Sequence, residues 1–183
     1  MMRIISGTHK GRRIVAPKNL PTRPTTDRAK EALFNILMHQ WDFEGLQVLD
    51  LFSGTGNISY EFCSRGVDQV VAVDQHRACT RFMQQTAETF DFPMAIVQSD
   101  VFQFLNSNRQ SFDLIFADPP YNFTTTQYNS LLSEVLNSSV LKDQGTFILE
   151  HDPQWNWEEH PNWTDTRVYG SNQMSFFEKK AGR

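Results

Sequence analysis

Val48-Leu49-Asp50-Leu51-Phe52-Ser53-Gly54-Thr55-Gly56 is the stretch that decides the fold of this chain. An apolar run closes on an acid, and two glycines follow before helical spacing sets in near residue 57. Gly54 and Gly56 have no Cβ, so they permit a tight strand-to-helix turn and a close approach by a ligand. Further on the same pattern repeats. Strands are expected at 47–50, 69–74, 95–100, 114–118 and 146–150, with helices near 57–65, 77–89, 101–108 and 126–141. This βαβ rhythm predicts an α/β fold with a doubly wound, mostly parallel sheet and right-handed crossovers. The end of the chain differs. Residues 166–169 and 173–178 flank Gly170-Ser171-Asn172 and read as a closing antiparallel hairpin, giving seven strands in all.

In the other direction, 3–6 and 12–16 are short apolar-alternating pieces around Gly7-Thr8-His9-Lys10-Gly11, which predicts a small N-terminal β-hairpin. Pro17, Pro21 and Pro24 impose an extended connector. Thr25, Thr26 and Asp27 offer N-cap side chains to a helix reaching about residue 39. The acidic, Pro-punctuated stretch with Trp155, Trp157 and Trp163 reads as a loop packed on the core.

A length of 183 residues, with 39% hydrophobic and 21% charged side chains, fits one globular domain over 1–183. Residues 1–24 form its basic hairpin arm. The two cysteines, Cys63 and Cys79, lack paired or metal-type spacing, so they are expected to pack in the core of a cytoplasmic protein. No apolar run suits a membrane span or a signal peptide, and a monomer is expected. The net charge of −4 hides an asymmetry: residues 1–30 hold eight Lys and Arg against Asp27, a net +7, leaving −11 on the remainder. A basic arm on an acidic body suits a polyanionic partner. An edge hairpin that uses cations to deter aggregation explains the charge equally well.

Five successive strands each end in an acid: Asp50, Asp74, Asp100, Asp118 and Glu150. Parallel strands bring their carboxyl ends to one edge, so these acids are expected around one crevice, where open α/β sheets bind ligands. Asp50 suits an ammonium group, Asp74 the ribose hydroxyls and Asp100 an adenine amine. A dinucleotide would want G-x-G-x-x-G beside its pyrophosphate. Here the third glycine position is Ser59, and Asp50 would repel phosphate. S-adenosylmethionine, with an ammonium, a ribose and an adenine but no phosphate, fits better. Asp118-Pro119-Pro120-Tyr121 adds a carboxylate, a proline-fixed carbonyl and a ring at a strand's carboxyl end. Those are the parts that amine chemistry on a nucleobase requires. The chain shows no His/Cys metal cluster, and none of its histidines sits in a nucleophile–His–acid pattern. His151 is expected to be a hydrogen-bonded structural residue.

These motifs together resemble the class I S-adenosylmethionine-dependent methyltransferases. Arg23-Pro-Thr-Thr-Asp-Arg28, Glu31-Ala-Leu-Phe-Asn35, Asp50-x-Phe-x-Gly-x-Gly56, Ser64-Arg-Gly66 and Asp118-Pro-Pro-Tyr121 narrow the resemblance to the RsmD family. Arg3-Ile-Ile-Ser-Gly7 and Lys10-Gly-Arg-Arg13 also match. That family is one of bacterial 16S rRNA guanine-N2 methyltransferases with a Rossmann-like fold. The resemblance implies that Asp50, Phe52, Gly54, Gly56, Asp74 and Asp100 bind the cofactor. Asp118, Pro119, Pro120 and Tyr121 would hold a flipped-out guanine. Lys10, Arg12, Arg13, Arg23 and Arg28 would grip RNA phosphates, and the partner implied is 16S rRNA within a small ribosomal subunit.

Other readings stay open. A DNA adenine-N6 or protein glutamine methyltransferase would use a similar Pro-Pro-aromatic segment. A protein substrate leaves the basic arm without a purpose, however, and 183 residues leave no room for a DNA target-recognition domain. A non-catalytic RNA-binding assembly factor would have no need of Gly54, Gly56 and Asp118. A nicotinamide-dependent oxidoreductase leaves the D-P-P-Y segment idle.

Overall fold

Val48 and Leu49 point to opposite sides of one strand, and both are fully buried. Burial on both faces is the mark of a central parallel strand covered by helices above and below. The computed structural model, which describes residues 1–21 and 25–182, places that strand as β3 (Gln47–Leu51) in the middle of the sheet. It pairs in parallel with β4 (Gln69–Asp74) and β6 (Phe112–Ala117). Beyond them lie β5 (Met94–Gln98) on one side and β7 (Leu141–His151) on the other. β8 (Trp163–Tyr169) and β9 (Asn172–Glu178) close the sheet as an antiparallel pair. The seven-stranded order is β5-β4-β3-β6-β7-β9-β8, so the winding reverses between β3 and β6. Ligand crevices form at that reversal.

One face packs α1 (Asp27–Gln40), α2 (Asn57–Ser64) and α3 (Arg77–Phe90) through Leu33, Phe34, Phe62 and Met83. The other packs α4 (Val101–Ser107) and α5 (Thr125–Leu136) through Leu105, Leu131 and Val135. Trp155, Trp157 and Trp163 pack against this second layer, as the sequence led us to expect. Trp163, however, already belongs to β8. Cys63 and Cys79 are buried on helices.

Two element boundaries need correction, and one of three cap candidates is selected. The helix expected over 126–141 stops at Leu136. The Ser138 hydroxyl donates to the Glu134 carbonyl and accepts from the Val140 N–H, which draws the backbone out of the helix. Val140 and Leu141 continue the apolar spacing, but Leu141 opens β7. The strand expected over 95–100 ends at Gln98, and Asp100 instead caps α4 by accepting from the Gln103 N–H at 3.1 Å. Of the three cap candidates before α1, Thr26 does the capping, through the Ala29 N–H. Thr25 turns away and donates to Glu150 Oε2.

The N-terminal pieces form a hairpin of β1 (Met2–Arg3) and β2 (Arg13–Ile14). It is docked on the body. Met2, Ile4 and Ile14 enter the first core layer, and the Glu61 carboxylate on α2 accepts from the N–H groups of Ile5 and Ser6. Gly7 fits so closely that a Cβ there would fall 1.8 Å from the Ser64 carbonyl oxygen.

Candidate active site

The carboxyl ends of β3, β4, β5 and β6 open onto a pocket of about 740 Å³, the larger of two described on the protein. Asp50, Asp74, Asp100 and Asp118 all line it. Glu150 does not. It is buried beside the pocket, where it accepts hydrogen bonds from Thr25 Oγ1 and Asn172 Nδ2. The expected convergence therefore holds for four acids, and the fifth joins elements together.

Each acid has a distinct setting. Asp50 is 1% exposed, and its Oδ2 accepts from Ser59 Oγ at 2.6 Å. Burial pushes its carboxyl up to about 7; the Ser59 hydrogen bond opposes this and the neighbouring Asp74 charge adds to it. Ser59, which fills the missing third-glycine position, thus anchors the first acid. Asp74 accepts from the Gly54 N–H and the His76 N–H, each at 2.9 Å, and so ties the glycine turn to the start of α3. Asp100 is exposed and shares one oxygen with its cap. Asp118 is half-buried.

The turn between β3 and α2 is strained and tightly filled. Phe52 adopts φ 55°, a left-handed value that is unfavourable for a side chain with a Cβ. Its ring packs edge-on against Phe123 at 5.4 Å, which holds the strained residue in place. Gly56 sits at φ 90°, and a Cβ there would come 2.6 Å from the Tyr60 ring. Phe102 lies flat against Phe123 at 6.1 Å, giving the pocket an apolar wall. Neither Phe102 nor Phe123 stands out in the sequence as a site residue. A phenylalanine just after a strand end is indistinguishable from a core residue until the fold brings the ends together.

The D-P-P-Y segment bends away from β6 into the pocket rim. Pro119 is buried and Pro120 exposed, while the Pro120 carbonyl accepts from the Phe123 N–H at 3.0 Å. Tyr121 is 87% exposed, a large ring at the surface that lines the pocket. Asn57, at the start of α2, also lines the pocket. It accepts from Lys30 Nζ and donates to the Thr25 carbonyl.

The basic candidates are spread more widely. Arg12, Arg13 and Arg28 are exposed, with Arg28 in the first turn of α1, close in sequence to pocket-lining Thr25. Lys10 is exposed at the hairpin turn, which packs over the carboxyl end of α2 through Ser64. That end is one eight-residue helix, roughly 12 Å, from the glycine turn. Arg23 lies outside the described residues. His151 has the structural role expected of it: buried, it bonds the Asp152 carbonyl and Ser175 Oγ, and burial lowers its pKa. Among the described residues no cluster of three His, Cys, Asp or Glu is placed to hold a metal, and no helix is long and apolar enough to cross a membrane.

A family model described as Conserved hypothetical protein 95 matches residues 2–178. Ribosomal RNA small subunit methyltransferase D of Escherichia coli is 32% identical over 181 residues, covering 96% of this chain and 87% of that protein. The protein of the same description from Haemophilus influenzae is 28% identical, covering 89% and 85%. Among solved structures, yhhF of Escherichia coli superimposes with a TM-score of 0.84 at 25% identity, over 99% of both chains. A 16S rRNA N2 methyltransferase of Thermus thermophilus (RsmC), solved with AdoMet and guanosine, superimposes with a TM-score of 0.71 at 23% identity. That match covers 88% of this chain and 45% of RsmC, and it speaks for the fold alone.

Proposed function

The chain belongs to the family of small-subunit rRNA methyltransferase D, and from that premise we propose that it methylates the exocyclic N2 amine of one guanine in 16S rRNA. The observation that carries this reading is the meeting of Asp118-Pro119-Pro120-Tyr121 with Asp50, Asp74 and Asp100 on one pocket.

The pocket suits S-adenosylmethionine on its own chemistry. Gly54 lines the pocket with no side chain to occupy it, Gly56 allows the turn behind it, and three acids offer acceptors to an ammonium, a ribose and an adenine amine. We assign Asp50 to the ammonium, Asp74 to the ribose and Asp100 to the adenine. Phe52, Gly54 and Gly56 form the loop beneath them. When bound, the cofactor would supply an electrophilic methyl group on sulfur.

The remaining work falls to residues of the chain. The guanine N2 lone pair is delocalised into the ring, so the amine is a poor nucleophile. Hydrogen bonds from its two N–H groups to the Asp118 carboxylate and the Pro119 carbonyl favour a pyramidal nitrogen. Tyr121 stacks on the base, swung out of its helix, and fixes its plane. Most of the rate gain then comes from holding two reactants in line. Arg12, Arg13, Arg23, Arg28 and Lys10 form the cationic surface that holds RNA phosphates. A short arm of this kind gains from a substrate with fixed shape, so we assign an assembled or partly assembled small subunit as the preferred acceptor.

The test offers labelled S-adenosylmethionine with undermethylated small subunits, naked 16S rRNA and duplex DNA, followed by digestion to nucleosides. N2-methylguanosine from the subunits is the expected product. N6-methyladenine from DNA, or no transfer to any acceptor while the cofactor still binds, would overturn the proposal.

A further inference from the structure

Among the described residues, three of the five guanidinium groups beyond the N-terminal segment are satisfied within the chain. Arg65 pairs with Glu61 and covers the Phe34 ring, Arg109 donates to the Asn106 and Asn108 carbonyls, and Arg167 pairs with Asp165. Arg77 and Arg81 are different. Both are exposed, and among the described residues neither side chain makes an ion pair or a hydrogen bond. They stand four residues apart on α3, so they share one helix face. They are also the only Lys or Arg between Arg65 and Arg109, a stretch that holds five acids. Two unpaired cations adjoining on an otherwise acidic surface are not the background of this chain.

They line a second, shallower groove of about 380 Å³ between α3 and the edge strand β5, together with Thr80, Gln84, Ile96 and Gln98. The groove and the active-site pocket are lined by consecutive residues, since His76, the residue before Arg77, lines the pocket. α3 packs on the same face of the sheet as α1 and the basic hairpin. Two helices thus carry cations near residues that line the pocket: Arg28 on α1, three residues beyond Thr25, and Arg77 with Arg81 on α3, just beyond His76.

We propose that this groove is a second RNA-backbone contact, in which Arg77 and Arg81 bind phosphates flanking the target nucleotide. The proposal rests on the rRNA-methyltransferase reading above and extends its substrate surface beyond the N-terminal arm. Guanidinium groups bind phosphate oxygens with paired N–H donors. The Gln84 and Gln98 amides beside them both donate and accept, as contact with a ribose 2′-hydroxyl requires.

The experiment compares wild type with the Arg77→Ala/Arg81→Ala double variant, using undermethylated small subunits as methyl acceptor across a salt series. Cofactor affinity is measured separately by calorimetry. We expect KM for the subunits to rise on the order of tenfold, kcat and cofactor affinity to stay within about twofold, and the slope of log KM against log salt to fall by about 1.4, the release expected for two single-strand phosphates. Arg77→Lys/Arg81→Lys should restore the slope, and Arg167→Ala should leave KM unchanged. If wild type methylates the subunits and the double variant matches its KM and slope, the groove does not touch RNA. If wild type transfers no methyl group to the subunits, the functional reading itself fails and this contact falls with it.

Discussion

Lys30 Nζ lies 3.2 Å from Glu61 Oε2, and neither side chain is open to solvent. The same ammonium donates to the Arg3 carbonyl and to Asn57 Oδ1, so it touches the hairpin, α2 and the pocket wall at once. Glu61 in turn accepts from Arg65 and from the Ile5 and Ser6 N–H groups. Burial lowers the Lys30 pKa, and the Glu61 charge works against that shift. A buried pair gives little net stability, but removing one partner strands the other. Glu61→Ala should therefore cost about 3–5 kcal/mol. Denaturant melts would read that loss, and hydrogen exchange should quicken at Ile5 and Ser6. A midpoint near wild type would mean that the hairpin is held by its apolar side chains alone.

Asp118→Ala removes the proposed carboxylate acceptor for the target amine and leaves Asp50, Asp74 and Asp100 in place. Cofactor binding should persist while kcat falls by at least about 10², the cost of losing one positioning contact. Single-turnover transfer to small subunits is the measurement. A rate near wild type would refute the assigned mechanism.

Tyr121 is 87% exposed, so its ring contributes little to the fold. Tyr121→Ala should leave the melting temperature unchanged and weaken RNA use by about 1–3 kcal/mol, the worth of one base–aromatic stack. Tyr121→Phe keeps the ring and should behave as wild type. Equal losses in both variants would point to the hydroxyl instead.

Asp50 should make stability and cofactor affinity respond to pH in opposite directions. Its carboxyl is raised from 3.8 to about 7, chiefly by burial, so the folded chain holds this proton more tightly than the unfolded chain. This group's contribution to stability is fully present below pH 3.8 and is lost as pH rises through about 7. The proposed ammonium contact needs the ionised form, so cofactor affinity should do the reverse and fall up to about tenfold per unit below pH 7. Calorimetric titrations on either side of neutrality would detect this, and Asp50→Asn should bind weakly with no such slope. A wild-type affinity that is flat with pH would remove Asp50 from the ammonium site.

Gly56→Ala places a methyl group against the buried Tyr60 ring, at a φ that disfavours any Cβ. Both strain and overpacking apply, and each costs roughly 1–3 kcal/mol. Thermal melts should fall accordingly, and cofactor affinity should drop with them because the turn has to move. A variant that melts and binds like wild type would show the turn to be more compliant than its packing implies.

The sheet and the acids at its edge were legible because apolar runs bounded by Asp and Gly carry a local signal. Asp50, Asp74 and Asp118 lie where the alternation of strands and helices places them. Lys30, Ser59 and Glu61 were not legible. A polar residue at helical spacing looks like solvated surface, and only a partner distant in sequence makes it interior. Lys30 counted as arm charge in the sequence and lies in the core in the structure. The end of α5 was misplaced for a related reason, since Val140 and Leu141 extend the helical pattern while two serines interrupt it. The groove beside α3 left no sequence motif, because its cations are defined by the partners they lack.

The hairpin's attachment also imposes an order in time. Ile5 and Ser6 bind a carboxylate 56 and 55 residues further along, so the hairpin cannot dock until α2 has been synthesised. At the usual pace of translation that delay is roughly 3 to 10 seconds. Throughout it the apolar residues Met2, Ile4 and Ile14 have no core to enter, and the neighbouring Lys10, Arg12 and Arg13 are the charges that keep the nascent segment soluble.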